Sequence, residues 1–323
     1  MKRRRWIALG IVLVLVAAAG AVQLAAGGLE WTFGPSKVWE EEVVTGKGRD
    51  RIALIPVEGT ISESPGGLWS DTIDFEGILS QLQQAMEDDS VKAVILRINS
   101  PGGEVVASDE IYRAIKRVQE QGKPVVASMG GTAASGGYYI ATAADWILAN
   151  PNTLTGSIGV IFTLPNYEGV ADLIGYKVNV IQSGAMKDMG NPWREMRPDE
   201  KEVFQKLVDE TYGRFVDLVA KERGMPREKV LTLADGRIYT GQQAKDLGLV
   251  DELGTLDDAF AAAKRLAGLE EAQLIRYVYP SMGWFDLAGG LFGRAREPLT
   301  DWKSLLPLPT EPRLMYLFQP GTP

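Results

Sequence analysis

The sequence predicts an α/β protein with a largely parallel sheet, joined to one N-terminal transmembrane helix. Apolar runs typical of buried strands alternate with amphipathic helix signals along most of the chain, and a long apolar run follows a basic cluster at the N-terminus. Consecutive strand–helix–strand units form parallel sheets with right-handed crossovers. With 323 residues, 45% of them hydrophobic, the chain is long enough to bury a substantial core.

The N-terminus, MKRRRWIALGIVLVLVAAAGAVQLAAGG, combines that basic cluster with the apolar run. Because about 20 apolar residues span the hydrocarbon core of a bilayer as a helix, residues 6–27 are predicted to form a membrane anchor. Basic residues stay on the cytoplasmic side, so we expect a single-pass protein of the cell membrane, with residues 1–5 cytoplasmic and the body extracytoplasmic. A cleaved signal peptide is the alternative, since AAAGA could serve a signal peptidase, although the apolar part of signal peptides is usually about 7–15 residues long. Residues 28–50 are predicted to be a juxtamembrane linker.

The body begins with two buried-strand signals, RIALIPVEGTI (Arg51–Ile61) and VKAVILRI (Val91–Ile98). Nearly continuous apolar runs of this kind are typical of strands that are covered on both faces. A helix is predicted between them, in DFEGILSQLQQAM, because its apolar residues recur at helical spacing. The apolar face of this helix comprises Phe75, Ile78, Leu79, Leu82 and Met86.

The same alternation continues toward the C-terminus. The next helix has an apolar face of Ile111, Ala114, Ile115 and Val118, and three short strands follow, in KPVVAS (Lys123–Ser128), ADWILAN and KVNVIQ. A long helix is predicted from Pro198 to Arg223, because Pro suits a first helical turn and Gly224 suits a helix end. We therefore expect one folded domain over residues 51–269, followed by an extension over residues 270–323.

The composition excludes several kinds of chemistry. The chain contains no His and no Cys, which removes Ser-His-Asp triads, thiolate nucleophiles and metal sites built on imidazole or thiolate ligands. A hydrolase with this composition must use Lys, a carboxylate or Tyr as its base. The net charge of −8 argues against nucleic acid as a partner, because binding to nucleic acid needs a basic surface.

Two glycine-rich turns follow two predicted strands. In INSPGGEV, Gly102 and Gly103 come after the strand Val91–Ile98, and GGTAASGG places Ser135 after the strand Lys123–Ser128. Because ligands bind beyond the carboxyl ends of strands in α/β sheets, one turn could supply oxyanion donors and the other a nucleophile for acyl transfer. The alternative is that both turns are only tight connections between a strand and a helix. The second turn is not a G-x-S-x-G elbow, and neither turn is a P-loop.

Five stretches carry a resemblance to a known family. They are RINSPGG (Arg97–Gly103), GTAASGGYYIATAAD (Gly131–Asp145), TGSIGV (Thr155–Val160), SGAMKDMGNPWREM (Ser183–Met196) and DGRIYTGQQAKDLGLVDELG (Asp235–Gly254). In this order and at these spacings, the sequence resembles the signal peptide peptidase A family, membrane-bound serine/lysine peptidases of the Clp protease/crotonase superfamily. The length matches the short form with one peptidase domain per chain. The resemblance implies the repeated β-β-α superhelix of that superfamily.

The resemblance also implies the catalytic residues. The nucleophile of the A-S-G-G turn falls on Ser135, and the base of the S-G-x-x-K segment falls on Lys187. The oxyanion hole would use the backbone N–H groups of Gly103 and Gly136, with Gly102 as an accessory residue. Ser157 in TGSIGV is a candidate for a hydroxyl that steadies Lys187.

A lysine can act as the base if its surroundings favour the neutral amine. Burial lowers the pKa of a lysine from about 10.4, whereas a carboxylate facing the amine raises it. Asp188 adjoins Lys187 and would raise its pKa in that way if the two side chains faced each other. Met186 stands where members of the family often carry an aromatic residue, which leaves the surroundings of Lys187 open.

The function implied is a membrane-anchored serine endopeptidase with a Ser-Lys dyad. It would degrade residual signal peptides and other short apolar or unfolded peptides, and its cleft is expected to prefer small or apolar residues before the cut. No metal or organic cofactor is implied. The expected partners are peptide substrates, membrane lipid and further copies of the chain in a homo-oligomeric ring, where neighbouring subunits can share the dyad.

Three alternatives remain open from the sequence. One is a related serine/lysine membrane protease that processes a specific partner protein. Another is a non-catalytic membrane scaffold on a crotonase-like fold. The third is a crotonase-like thioester enzyme, which would need neither Ser135 nor Lys187 and would require coenzyme A outside the cytoplasm.

Overall fold

The computed structural model describes residues 39–63, 72–278 and 314–318. The predicted basic N-terminus and membrane anchor, residues 1–27, lie outside these ranges. Within them, no helix combines the length and the apolar character needed to cross a bilayer. A strand begins at Glu40, inside the segment for which the sequence predicts a linker.

Strands and helices alternate through the described residues. The strands are β1 (Glu40–Gly46), β2 (Arg51–Glu58), β3 (Val91–Ser100), β4 (Gly102–Glu104), β5 (Val125–Ala134), β6 (Trp146–Ala149), β7 (Leu154–Gly156), β8 (Ile238–Thr240), β9 (Glu252–Leu253), β10 (Gln273–Val278) and β11 (Met315–Leu317). The helices are α1 (Phe75–Glu87), α2 (Val105–Glu120), α3 (Gly136–Ala141), α4 (Glu168–Ile174), α5 (Pro198–Glu222), α6 (Arg227–Leu233), α7 (Gly241–Leu247) and α8 (Leu256–Leu266).

The main sheet has the strand order β1-β10-β2-β3-β5-β6-β9. Every neighbouring pair along this path is parallel except β1 and β10, which are antiparallel at one edge. A separate antiparallel ladder joins β11 to β4. The prediction of an α/β fold with a largely parallel sheet is therefore confirmed.

Both faces of the sheet are covered by helices, and β3 shows how. Val94, Leu96 and Ile98 belong to the larger core cluster, which includes buried residues of α1 and α2. The alternate residues Ala93 and Ile95 belong to a second cluster that includes alanines of α8. Because successive strand residues point to opposite faces, a strand covered on both sides needs an apolar residue at nearly every position.

The second half of β5 differs from the sequence-based expectation. The predicted strand ends at Ser128, but the observed strand continues through the glycine-rich stretch to Ala134. The reason is a change of partner. The first half of β5 pairs with β6, and residues 132–134 pair with β7, so the backbone stays hydrogen-bonded up to the residue before Ser135.

The predicted strand KVNVIQ is wrong, because residues 177–182 form neither a strand nor a helix. Its alternating apolar residues face solvent, and Ile181 is fully exposed. The predicted long helix is confirmed almost residue for residue, since α5 begins at Pro198 and ends one residue before Arg223.

Candidate active site

Ser135 lies at the junction of β5 and α3, in a backbone conformation that favours glycine. Its φ is +53° and its ψ is −115°, and a non-glycine residue in such a region stores about 1–3 kcal/mol of strain. Two backbone hydrogen bonds of 2.8 Å maintain it: the N–H of Ser135 donates to Gly156, and its carbonyl accepts from Tyr139. The side chain is buried and makes no hydrogen bond within the described part of the chain, so its hydroxyl is available for chemistry.

The segment Leu314–Phe318 crosses the first glycine turn as an extended strand. On one edge it is antiparallel to β4, with Tyr316 opposite Gly103. On its other edge, Met315 and Ile161 exchange two backbone hydrogen bonds of 3.1 Å. A segment bonded on both edges in this way occupies the space that an extended peptide would take as an added strand.

Three glycines surround the carbonyl oxygen of Tyr316. A Cβ on Gly136 would lie 3.1 Å from that oxygen and 3.1 Å from the Gly103 nitrogen, and a Cβ on Gly102 would lie 2.1 Å from the oxygen and 2.6 Å from the Gly136 nitrogen. The two amide nitrogens and the carbonyl oxygen are therefore close neighbours, with no room for a side chain among them. Paired backbone donors beside one carbonyl oxygen are the arrangement of an oxyanion hole.

The side chain of Tyr316 fills a pocket between α3 and α5. Its ring stacks on Tyr139, with 5.0 Å between the ring centroids, and lies 4.6 Å from the ring centroid of Phe215. Its hydroxyl donates to the Thr211 carbonyl at 3.4 Å, and the side chain is only 1% exposed. The Tyr139 hydroxyl donates to Asp109, which fixes that wall of the pocket.

Ser157 follows Gly156 and also has a positive φ, of +50°. Its N–H donates to the Arg237 carbonyl at 2.8 Å, which holds this unusual backbone in place. Ser157 lines a cavity of about 630 Å³ whose wall also contains Asp209, Tyr212, Asp235, Leu317 and Phe318. The cavity therefore lies on the side to which the chain runs after Tyr316.

Lys187 lies on an exposed turn. It is exposed, its backbone N–H closes a turn onto Gly184, and no hydrogen bond connects it with Ser135 or Ser157 in the described ranges. The segment before it exposes large apolar side chains, namely Val170, Leu173, Ile174, Tyr176, Val178, Val180 and Ile181. The structure thus brings Ser135 together with the glycines, whereas Lys187 is exposed and makes no hydrogen bond to Ser135 in the described ranges.

The carboxylate next to Lys187, that of Asp188, is paired with an arginine. Arg194 donates to Asp188 through Nε at 2.9 Å, and this hydrogen bond holds the pKa of the Asp188 carboxyl below its ordinary value. The same arginine lowers the pKa of Glu200, whose side chain is buried at the start of α5. No cluster of acidic side chains suited to a metal ion occurs in the described part of the chain.

Sequence reasoning missed the segment around Tyr316 and the pocket that holds it. RLMYLF is a short apolar and aromatic run after a proline-rich stretch, which is a strand signal. Nothing local in the sequence indicates that this strand pairs with the glycine turn, since the pairing joins residues that are far apart along the chain.

Comparison with known proteins identifies the family. The model described as Peptidase family S49 matches residues 117–270, and the one described as Clp protease matches residues 70–154. The chain is 36% identical to a putative signal peptide peptidase SppA of Enterococcus faecium over 299 residues, which cover 88% of this chain and 87% of that protein. It is 45% identical to a putative protease of Synechocystis sp. over 222 residues, which cover 69% of this chain and 76% of that protein.

Among solved structures, a ClpP1 mutant from Listeria monocytogenes aligns with a TM-score of 0.43 and 22% identity, and the alignment covers 64% of this chain and 93% of that chain. The family match and the two relatives, each similar over most of its length, support one assignment. The chain belongs to peptidase family S49 and is a serine peptidase.

Proposed function

We propose that this chain is a membrane-anchored endopeptidase on a Clp protease/crotonase-like superhelix, with Ser135 as nucleophile and Lys187 as base. Its substrates are short apolar or unfolded peptides bound in extended form, residual signal peptides among them. The relative in Enterococcus faecium is named a putative signal peptide peptidase, which agrees with this substrate class. The anchor is residues 6–27, and the peptidase domain of residues 51–269 lies on the extracytoplasmic side.

The observation that carries the proposal is the strand across the glycines. β11 pairs with β4 and with Ile161, and its Tyr316 carbonyl lies beside the amides of Gly103 and Gly136. A substrate in the same position would have its scissile carbonyl polarised by both N–H groups and adjacent to the residue before Gly136, which is Ser135. The side chain before the cut would then enter the pocket occupied by Tyr316, so aromatic residues join the small and apolar ones expected there.

The base is supplied by a neighbouring subunit in this proposal. Ser135 is buried at the glycine turn, whereas Lys187 is exposed on a segment rich in exposed apolar residues. Exposed apolar patches of this kind mark surfaces that pack against other proteins. A homo-oligomeric ring would cover these residues, bury Lys187 against the next subunit and lower its pKa by desolvation.

The reaction follows serine-peptidase chemistry with an amine base. The Lys187 amine takes the proton of the Ser135 hydroxyl as the Ser135 oxygen attacks the peptide carbonyl carbon. The negative oxygen is held by Gly103 and Gly136, and Lys187 then gives its proton to the leaving amine as the C–N bond breaks. Water, deprotonated by Lys187, attacks the acyl-enzyme ester, and the Ser135 oxygen leaves with the proton. Ser157, next to Gly156, can orient the amine.

A fluorophosphonate probe tests the nucleophile. The wild-type protein should be labelled and Ser135→Ala should not, while Ser128→Ala serves as a matched control because Ser128 is a buried serine on β5, the strand that leads to Ser135. Labelling of Ser135→Ala would reject the proposal. Mixing Ser135→Ala with Lys187→Ala chains tests the sharing: two inactive proteins should regain peptidase activity when they assemble together, and a dyad within one chain would restore none.

A further inference from the structure

Two arginines hold the backbone on either side of Lys187. Arg197 donates through Nη2 to the carbonyl of Ala185 at 2.7 Å, two residues before the lysine. Arg194 donates through Nη2 to the carbonyl of Asp188 at 3.0 Å, one residue after it. The turn that carries Lys187 is therefore fixed at both ends by side chains from outside the turn.

Both arginines are anchored on one buried carboxylate. Glu200 is 0% exposed in the first turn of α5, and Arg194 donates to it through Nη1 at 3.1 Å. Arg197 approaches the same carboxylate through Nη2 at 2.8 Å, and its backbone N–H donates to it at 3.3 Å. Because α5 is a 25-residue helix packed on the core, its buried Glu200 gives the Lys187 turn a rigid attachment point.

The network also neutralises the carboxylate next to Lys187. Arg194 Nε donates to Oδ2 of Asp188 at 2.9 Å, and Arg197 Nη1 lies 3.6 Å from Oδ1. That Oδ1 is buried and accepts no hydrogen bond in the described part of the chain, so its negative charge is balanced by the guanidinium groups. The charged groups around the Lys187 turn are Asp188, Arg194, Arg197, Asp199 and Glu200.

We propose that Arg194 is a positioning residue for Lys187: it fixes the turn and neutralises Asp188, so that the adjacent carboxylate does not stabilise the charged ammonium form of the base. This rests on the proposed role of Lys187. The physical reason is that an opposite charge within about 4–6 Å favours the charged form of a group and raises the pKa of a lysine. A base that remains protonated cannot accept the Ser135 proton.

The test is the pH profile of kcat/KM for Arg194→Gln on a short peptide. We expect its rising limb to move to higher pH by about one unit, which reduces activity roughly tenfold near neutral pH and much less at high pH. The double variant Asp188→Asn/Arg194→Gln should move the limb back, because the uncompensated carboxylate is gone. Arg214→Gln is the matched control, since Arg214 pairs with Glu210 on the exposed side of α5, and its profile should equal that of the wild type.

A purely structural arginine would behave differently. In that case Arg194→Gln would lower kcat/KM by the same factor at every pH, and the double variant would not regain the lost activity. That result overturns the proposal. If Arg194→Gln does not fold, Asp188→Asn alone decides: it should lower the midpoint of the rising limb, and an unchanged or higher midpoint overturns the proposal. Activity that survives Lys187→Ala would reject the proposed function itself, whatever the profile of Arg194→Gln.

Discussion

The strand around Tyr316 occupies the cleft, so weakening it should expose the active site to external peptides. The change is Tyr316→Ala, which removes the ring that stacks on Tyr139 and Phe215 and leaves the backbone of the strand able to form. Tyr316→Phe is the matched control, because it keeps both ring contacts and loses only the long 3.4 Å hydrogen bond to Thr211.

The magnitude follows from the burial of the ring. Truncating a buried aromatic side chain to alanine costs about 3–5 kcal/mol, and the lower figure, at 1.4 kcal/mol per factor of ten, weakens docking of the strand about 100-fold. A docked strand raises the apparent KM of a competing peptide in inverse proportion to the fraction of open sites. The KM of Tyr316→Ala should therefore fall by as much as about 100-fold, up to the point at which every site is open. Its kcat should stay unchanged, because the removed ring is absent from the enzyme–peptide complex.

Initial rates on a fluorogenic peptide measure both parameters. The rate of fluorophosphonate labelling gives a second readout, since Ser135 is only 1% exposed while the strand is docked. Tyr316→Phe should keep the KM of the wild type within about a factor of two, because hydrogen bonds as long as 3.4 Å are weak. An unchanged or higher KM for Tyr316→Ala, with no faster labelling, would refute the view that this strand competes with substrate.

Three further predictions concern single residues of the site. Ser135→Gly should be inactive yet more stable in thermal unfolding by about 1–3 kcal/mol, because glycine relieves the strain at φ +53°, whereas Ser135→Ala should be inactive without that gain. Lys187→Arg should be inactive at every pH, since guanidinium keeps its proton. The activity of the wild type should rise with pH around a midpoint below about 10.4. Substantial activity of Lys187→Arg would exclude Lys187 as the base. Gly103→Ala should reduce kcat by about 10²–10³, because the new Cβ would lie 1.9 Å from the Ile61 carbonyl oxygen and displace an oxyanion donor. Gly213→Ala is the control: Gly213 lies in α5 with open space around it, so this change should leave kcat unchanged.

Local features of the sequence were enough to predict α5 and the glycine-rich segments at Ser135. Pro198 and Gly224 mark the ends of α5, and the observed helix begins at the first and ends two residues before the second. The two glycine turns are predicted at strand ends, and both lie beside Ser135 in the structure because parallel strands end at one edge of the sheet.

What the sequence did not predict depends on partners that are distant along the chain. KVNVIQ has the alternation of a strand, but no strand in the described ranges pairs with it, so residues 177–182 stay irregular and exposed. Conversely, β11 is a strand because β4 and Ile161 accept it, and this pairing has no local signal. The exposure of Lys187 is of the same kind in the proposed ring, where the residues that bury the lysine belong to the neighbouring subunit.

Helix α5 contributes residues to two different active centres of the proposed ring. Its first turn holds Glu200 and, through the arginines, the lysine offered to a neighbour, while Thr211 and Phe215 farther along form the side-chain pocket of its own serine. At 1.5 Å per residue, Glu200 and Thr211 are about 16 Å apart on one rod. A peptide that shifts this rod when it enters one pocket also shifts the base of the adjacent centre. Catalysis around the ring would then be cooperative, and rates plotted against peptide concentration would depart from a simple hyperbola.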